Sequence, residues 1–369
     1  MRPAGFAYDE GLRNVSTMKK ASRPSGIKEI ARKLGVSIGT VDRALHNRSG
    51  ISKKTRATIL ATAERMNYRP NLAARNLKLN RKVRIAVCLP QEIAWFFDPL
   101  REGIRAGASQ AAGIAIELEF HSYPRIGEGD AALVGSLAKG YDAALITPGN
   151  PTEFEPLIAR LAELGTSVFC VASDAPGSAR VASVRADAEV CGGIAAELLA
   201  KALGNRGTAA AITGDLSTYD HSEKLRGFTQ ALAASAPNIK LLPAIETHDR
   251  QLDARRATLE LLRRAPEVAG LYISTANCTG VTDALREQNR LGKIEIVATD
   301  LSPEIAASIE SGVIFASIYQ RPFTQGLMAI EAAIRALQGE QVQEVQKRLA
   351  PHIVLRSNLR LFPNQQERG

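Results

Sequence analysis

Two different spacings of apolar residues divide the chain. Between about residues 26 and 69, apolar positions recur every three or four residues, the period of a helix with one buried face. Ile27, Ile30, Ala31 and Leu34 form the first such stripe. Gly35-Val36-Ser37 then breaks it, and Ser37 is suited to cap a second helix whose inner face is Val41, Ala44 and Leu45. Asn47 to Gly50 is turn chemistry. Ser52 starts a third helix through Ile59, Leu60, Ala63 and Met66, ending near Asn67 and Tyr68, and Pro70 closes the unit. Asn71 is placed to cap a fourth segment, Leu72 to Leu79, only about two turns long and therefore marginal as an isolated helix.

From Val83 onward, short apolar runs alternate with amphipathic helical stretches. The runs are VRIAVCLP (83–90), AIELEFHS (115–122), DAALITPG (142–149), SVFCVASD (167–174), AAAITGD (209–215), GLYISTAN (270–277), EIVATD (295–300) and IFASIYQ (314–320). Near-continuous burial of such runs is the mark of parallel strands covered on both faces by helices. Ligands of parallel sheets bind beyond the carboxyl ends of the strands, so the polar residues that end the runs are the first site candidates.

Charge sharpens this division. The chain carries a formal net charge of +9, yet the segment Arg23 to Arg84 alone holds 16 Lys or Arg against 3 acids, and the remainder is net acidic by 4. A short basic head on a mildly acidic body points to a nucleic-acid-binding module joined to another unit; a merely solvated basic face is the alternative. A length of 369 residues suits two or three units. Met1 to Lys20 lacks the apolar stretch of a secretory signal, and residues 1–24 read as a disordered lead-in. No run of about twenty apolar residues suggests a membrane span. Cys88, Cys170, Cys191 and Cys278 lie in or beside apolar runs without a CxxC pair, so they are expected to be buried free thiols in a reducing compartment. The five histidines show no ligand spacing, and neither a metal nor a cofactor is expected.

A short helix, a glycine turn and a capped second helix make a helix-turn-helix, whose second helix enters the major groove N-terminus first. The exposed positions at that end are Ile38, Gly39, Asp42 and Arg43. The stretch IKEIARKLGVSIGTVDRALHNRSGISKKTRATILATAERMNYRPNLAARNL closely resembles the headpiece of the lactose-repressor (LacI/GalR) family, without gaps from about Ile27 to Leu77. The resemblance implies base reading by Ile38, Gly39 and Arg43, and phosphate or register contacts by Ser37, Thr40, Ser52, Thr55 and Asn71. Arg43 suits a bidentate contact to guanine. Leu77 matches the hinge leucine that, in the family, wedges into the minor groove, and Ala74 is assigned to the same DNA-contacting segment; a plain core leucine is the alternative for Leu77. Asp42 departs from the family's usual serine, so base preference does not carry over.

The region from about Val83 to Phe362 resembles, more loosely, the family's effector-binding core, which shares its fold with periplasmic sugar-binding proteins. The expected fold is therefore a small all-α headpiece (25–70), a hinge helix and linker (71–82), and a two-lobed α/β core of parallel sheets sandwiched by helices (83–362), followed by a tail (363–369). One lobe is assigned residues 83–186 and 320–349, the other 187–319 and 350–362, with crossings near Asp187, Gln320 and Ala350. The resemblance implies an effector cleft with Trp95, Phe96 and Phe97 stacking on a sugar ring, and Asp174, Asn277, Asp300 and Gln320 holding hydroxyls. Core packing for the phenylalanines, a cap or ion pair for Asp300 and a turn for Asn277 are the alternatives. The family's usual arginine before the fourth helix of the core has no clear holder in TYDHSEKLRGF; Ser222 and Lys224 are assigned its place, with His221 and Arg226 also open.

Together these features lead to the expectation of a cytoplasmic, homodimeric transcriptional repressor whose operator-DNA affinity is set by a small sugar-like effector. A transport solute-binding protein is the rival that the basic head argues against. An enzyme is disfavoured, because no Walker loop, GxSxG elbow or HExxH occurs. The tail has no leucine heptads for tetramerisation.

Overall fold

The computed structural model describes residues 27–45, 49–66, 82–111, 114–275, 278–340 and 346–362. They fall into two compact units divided after Pro70. The first contains α1 (Ile27–Leu34), α2 (Ile38–Leu45) and α3 (Lys53–Arg65). Ile30, Ala31, Val41, Ala44, Ile59 and Ala63 make its core, so the helical stripes read from the sequence converge on one another. Gly35 takes φ +64°, which lets the chain reverse and the Val36 N–H donate to the Ala31 carbonyl at 3.1 Å.

The second unit holds two parallel sheets. The first has strand order β12-β5-β4-β3-β1-β2, built from β1 (Val83–Pro90), β2 (Ile116–Tyr123), β3 (Ala143–Ile146), β4 (Ser167–Val171), β5 (Ala182–Ala186) and β12 (Gln346–Leu349). All its pairings are parallel. On one face lie α4 (Ala94–Ser109) and α12 (Pro322–Leu337), packed through Leu100, Ile104, Ala329 and Ile330. On the other lie α5 (Asp130–Ser136) and α6 (Pro151–Glu163), packed through Val134, Phe154 and Ile158.

The second sheet has order β13-β11-β10-β9-β6-β7, with β8 (Ile245–Glu246) also beside β6. Its members are β6 (Gly207–Thr213), β7 (Ile239–Leu241), β9 (Val268–Ile273), β10 (Glu295–Thr299), β11 (Ala316–Tyr319) and β13 (His352–Val354). Only the edge strand β13 runs antiparallel, against β11. The helices α7 (Ala188–Ala202) and α8 (Tyr219–Ser235) cover one face, and α9 (Gln251–Arg264), α10 (Cys278–Glu287) and α11 (Pro303–Glu310) the other. The chain passes between the sheets after β5, after β11 and between β12 and β13.

Each lobe locks one helix pair by close backbone approach. A Cβ on Gly103 would lie 2.1 Å from the Phe323 carbonyl oxygen, and one on Gly326 2.1 Å from that of Leu100. In the other lobe, a Cβ on Gly192 would lie 1.9 Å from the Lys224 carbonyl oxygen, and one on Gly227 2.1 Å from that of Glu189. All four cysteines are buried and unpaired, and burial pushes their thiols up to about 12. Among the described residues no helix is long and apolar enough to cross a membrane.

Candidate functional site

Among the described residues, two regions bear on the expected function. On the first unit, Val41 and Ala44 turn inward, so α2 shows Ser37, Ile38, Gly39 and Arg43 to solvent. Ile38 is 50% exposed at the N-terminal end of this helix. Ser37 Oγ accepts from the Thr40 N–H at 3.1 Å and lies 2.9 Å from Thr40 Oγ1, which fixes the first turn of the helix. Ser52 repeats the arrangement at α3, accepting from the Thr55 N–H at 3.0 Å. Asp42 is half-buried beside this face. Asn71, Ala74 and Leu77 lie outside the described residues.

The second site is a cleft between the two sheets of the core. Its first-lobe wall is mainly apolar: Ile93, Trp95, Phe96, Phe97, Ile126 and Ala172, with Ser173. Phe96 and Phe97 meet edge to face with centroids 4.9 Å apart, and Trp95 stands perpendicular to Phe96. The second-lobe wall is polar: Thr218, Asp220, His221 and Lys224 from the start of α8, then Asp249, Ser274, Thr275 and Asp300 at strand ends. Gln320 sits where the chain crosses back from β11. The cavity between these walls is about 60 Å³ and partly open to solvent.

Lys224 is the buried cation of this wall, 2.5 Å from Asp220 Oδ2. Burial works against its charge, but Asp220 and Asp300 outweigh that and raise its proton affinity. Asp300 is held by Gln320, whose Nε2 donates to Oδ2 at 2.7 Å and whose backbone N–H donates to Oδ1 at 3.3 Å. Burial pushes the Asp300 carboxyl up to about 6, with Lys224 pulling the other way. Thr275 Oγ1 donates to Asp249 Oδ1, and His221 Nε2 lies 3.9 Å from Asp249 Oδ2. Four buried polar atoms of this lining, Ser173 Oγ, Asp220 Oδ1, His221 Nδ1 and Ser274 Oγ, have no hydrogen-bond partner in the protein. Such atoms are costly in a core and ordinary in a binding site. Ile93, Ala172, Asp249 and Asp300 also line the cleft with φ between +53° and +66°. Non-glycine residues rarely hold that conformation, and it clusters at ligand sites.

The structure thus brings Trp95, Phe96, Phe97, Lys224, Asp300 and Gln320 together. It does not bring Asp174 or Ser222. Asp174 is fully buried below the cleft, ion-paired to Arg180 and 3.8 Å from Arg185. It is a core carboxylate, because Arg180 returns six residues later to neutralise it. The Ser222 hydroxyl turns back to the Tyr219 carbonyl at 3.0 Å. Arg226 is exposed and held by Glu189 and Glu223, which leaves Lys224 as the cation of this helix in the cleft. Asn277 lies outside the described residues. Ser173, Asp220, Asp249, Ser274 and Thr275 were missed. Ser173 and Ser274-Thr275 end apolar runs and were findable by the strand-end rule; Asp220 stands one helical turn before Lys224.

Comparison with known families decides what the two units are. Bacterial regulatory proteins of the lacI family match residues 26–71, and the periplasmic binding protein domain matches residues 85–341. The chain is a LacI-family transcriptional regulator. This regulator is similar to catabolite control protein A of Priestia megaterium, 26% identical over 246 residues, 63% of this chain and 70% of that one. It is also similar to the HTH-type transcriptional regulator MalR of Streptococcus pneumoniae, 36% identical over 90 residues, 24% of this chain and 27% of MalR. Among solved structures, GanP, a glucose-galactose binding protein from Geobacillus stearothermophilus, matches with TM-score 0.69 and 25% identity, covering 76% of this chain and 99% of GanP. A solute-binding protein from Burkholderia graminis in complex with D-arabinose matches equally in score and identity, over 98% of its length. The LacI-family chain is a DNA-binding regulator and not an enzyme.

Proposed function

We propose that this regulator represses transcription as a homodimer, and that a sugar-like polyol bound in the interlobe cleft controls its hold on operator DNA. In this reading Ile38, Gly39, Asp42 and Arg43 face base edges, while Ser37, Thr40, Ser52, Thr55 and Asn71 meet phosphates. Two-fold pairing supplies the second half-site that one short recognition helix needs for specificity. Leu77 and Ala74 belong to the segment that joins the head to β1 of the first lobe.

The observation that carries the effector reading is the four partnerless buried polar atoms of the lining, three of them (Asp220 Oδ1, His221 Nδ1 and Ser274 Oγ) opposite the aromatic wall and one, Ser173 Oγ, on it. Hydroxyl groups satisfy lone donors and acceptors of this kind, and ring faces pack on Trp95 and Phe96. The sugar-binding proteins of the same fold support that choice. A void of about 60 Å³ has room for about two waters. Sites for small organic ligands are typically about 300 Å³ or more, so admission of an effector requires the lobes to part. A ligand that prefers one lobe separation shifts operator affinity by its differential affinity, and operator shifts effector affinity reciprocally. The work is done where the DNA is, in the cytoplasm.

The test is a thermal-shift screen of sugars on the full chain, followed by gel shifts on the operator with and without each hit. A hit that moves both the melting point and the operator affinity is expected. A stabilising sugar without effect on DNA binding refutes the coupling, and no operator binding under any condition refutes the repressor reading.

A further inference from the structure

The charge balance of the cleft bears on which polyol enters, given that the cleft is the effector site. Among its described lining residues are three carboxylates, Asp220, Asp249 and Asp300, against one lysine and one histidine. Lys224 is committed: its Nζ touches Asp220 Oδ2, and the charge of Asp300 acts on it as well. His221 is the group nearest Asp249 in charge, at 3.9 Å, beyond hydrogen-bond range. Asp249 lines both the cleft and the larger hollow beside it, as do Ile93 and Trp95. That hollow does not reverse the balance. Arg125 is ion-paired with Glu92 and Glu128, although its Nε and Nη1 lack hydrogen-bond partners, and Arg250 is paired with Glu128.

We propose that the effector carries an amine, as an amino sugar or a related ammonium-bearing polyol, and that the cleft rejects phosphorylated sugars. Beyond Asp220, which Lys224 pairs, the second-lobe wall supplies the carboxylates of Asp249 and Asp300, and the buried Asp220 Oδ1 still lacks a hydrogen-bond partner. The facing wall supplies aromatic rings, whose faces attract an ammonium group. Both walls favour the same charge on the ligand. An anion would meet carboxylates on one side and aromatic rings on the other, with no described lining cation standing apart from a carboxylate.

The experiment uses the full chain at pH 7.5 and matched trios of probes. These are glucose, glucosamine and glucose 6-phosphate, and the corresponding galactose and mannose compounds. In at least one ring configuration the amine is expected to bind at least tenfold more tightly than its parent sugar, read by thermal shift and calorimetry, with no binding of the phosphate. Asp249→Asn should erase most of that preference, because the charge goes while asparagine tolerates the same left-handed backbone. A parent sugar or phosphate that binds best, or amines that all fail to bind, overturns the proposal. Trp95→Ala separates this from the underlying reading. A parent sugar that binds best and weakens tenfold in Trp95→Ala removes the amine and keeps the cleft. Binding unchanged in both variants removes the cleft itself.

Discussion

Replacing Asp300 with asparagine should make the core more stable at neutral pH while disabling the effector response. The carboxyl of Asp300 sits at about 6 in the folded chain against an ordinary 3.8. Between those two values the folded core keeps a proton that the unfolded chain has released. Stability therefore falls as pH rises from about 4 through 6, and levels off above that. At about 1.4 kcal/mol for each tenfold change in proton affinity, the ionised side chain costs the fold about 3 kcal/mol at pH 7. Asparagine removes this cost and accepts the φ of +66° at this position. It keeps an acceptor for the Gln320 N–H, but the Gln320 amide must turn to face it, which costs about 1 kcal/mol. Lys224 keeps Asp220. The net expectation is a gain of about 2 kcal/mol at pH 7, vanishing near pH 4.5. Trp95, the only tryptophan, lines the cleft and reports unfolding of the core directly. Urea melts of both proteins from pH 4.5 to 8, followed by its fluorescence, make the measurement. Parallel stability profiles, or a variant weaker than wild type at pH 7, would refute the assignment of a strained, ionised carboxylate. The same variant should no longer change operator affinity when effector is added, a trade of function against stability.

Other expectations test the head, the helix packing and the misassigned carboxylate. Arg43→Ala should lose discrimination between operator and random DNA while effector affinity stays put; an unchanged footprint contradicts its place in the groove. Leu77→Ala should weaken specific binding more than nonspecific binding, as titrations on both DNAs would show, whereas equal losses leave it no operator role. Gly192→Ala forces a methyl group to within 1.9 Å of a backbone oxygen, so the pair α7 and α8 must separate, at a cost of at least about 2 kcal/mol in denaturant unfolding. Asp174→Asn removes the buried carboxylate paired with Arg180 and close to Arg185, and should cost about 3–5 kcal/mol while each folded molecule still binds effector. Loss of binding at full folding would return Asp174 to the cleft.

Most of the fold was legible because burial on both faces writes a strand as an unbroken apolar run. VRIAVCLP is β1 residue for residue, and the other seven runs overlap β2, β3, β4, β6, β9, β10 and β11. The strand β5 was missed because Arg185 interrupts ASVRA; that arginine is buried against Asp174 and stacked over Tyr219, contacts a linear pattern does not carry. At two or three residues each, β7, β8 and β13 are too short to show a period. The cleft was half legible. Resemblance and strand-end position led to Phe97, Asp300 and Gln320. The same reasoning placed Asp174 wrongly, since whether a strand-end acid meets ligand or arginine depends on where the next loop returns. Asp249 follows a two-residue strand and gave no signal in advance.

The glycine contacts that bind α4 to α12 and α7 to α8 have a consequence for how sensitivity to effector can change. With backbone against backbone on both helices, each lobe behaves as a stiff plate with little internal slack. Motion between plates is then absorbed by a few linking residues: Asp187, Arg321 with its φ of +61°, and the strap at 350–351. Natural variation that retunes the response should gather at those links, whereas changes inside a plate should break the device outright.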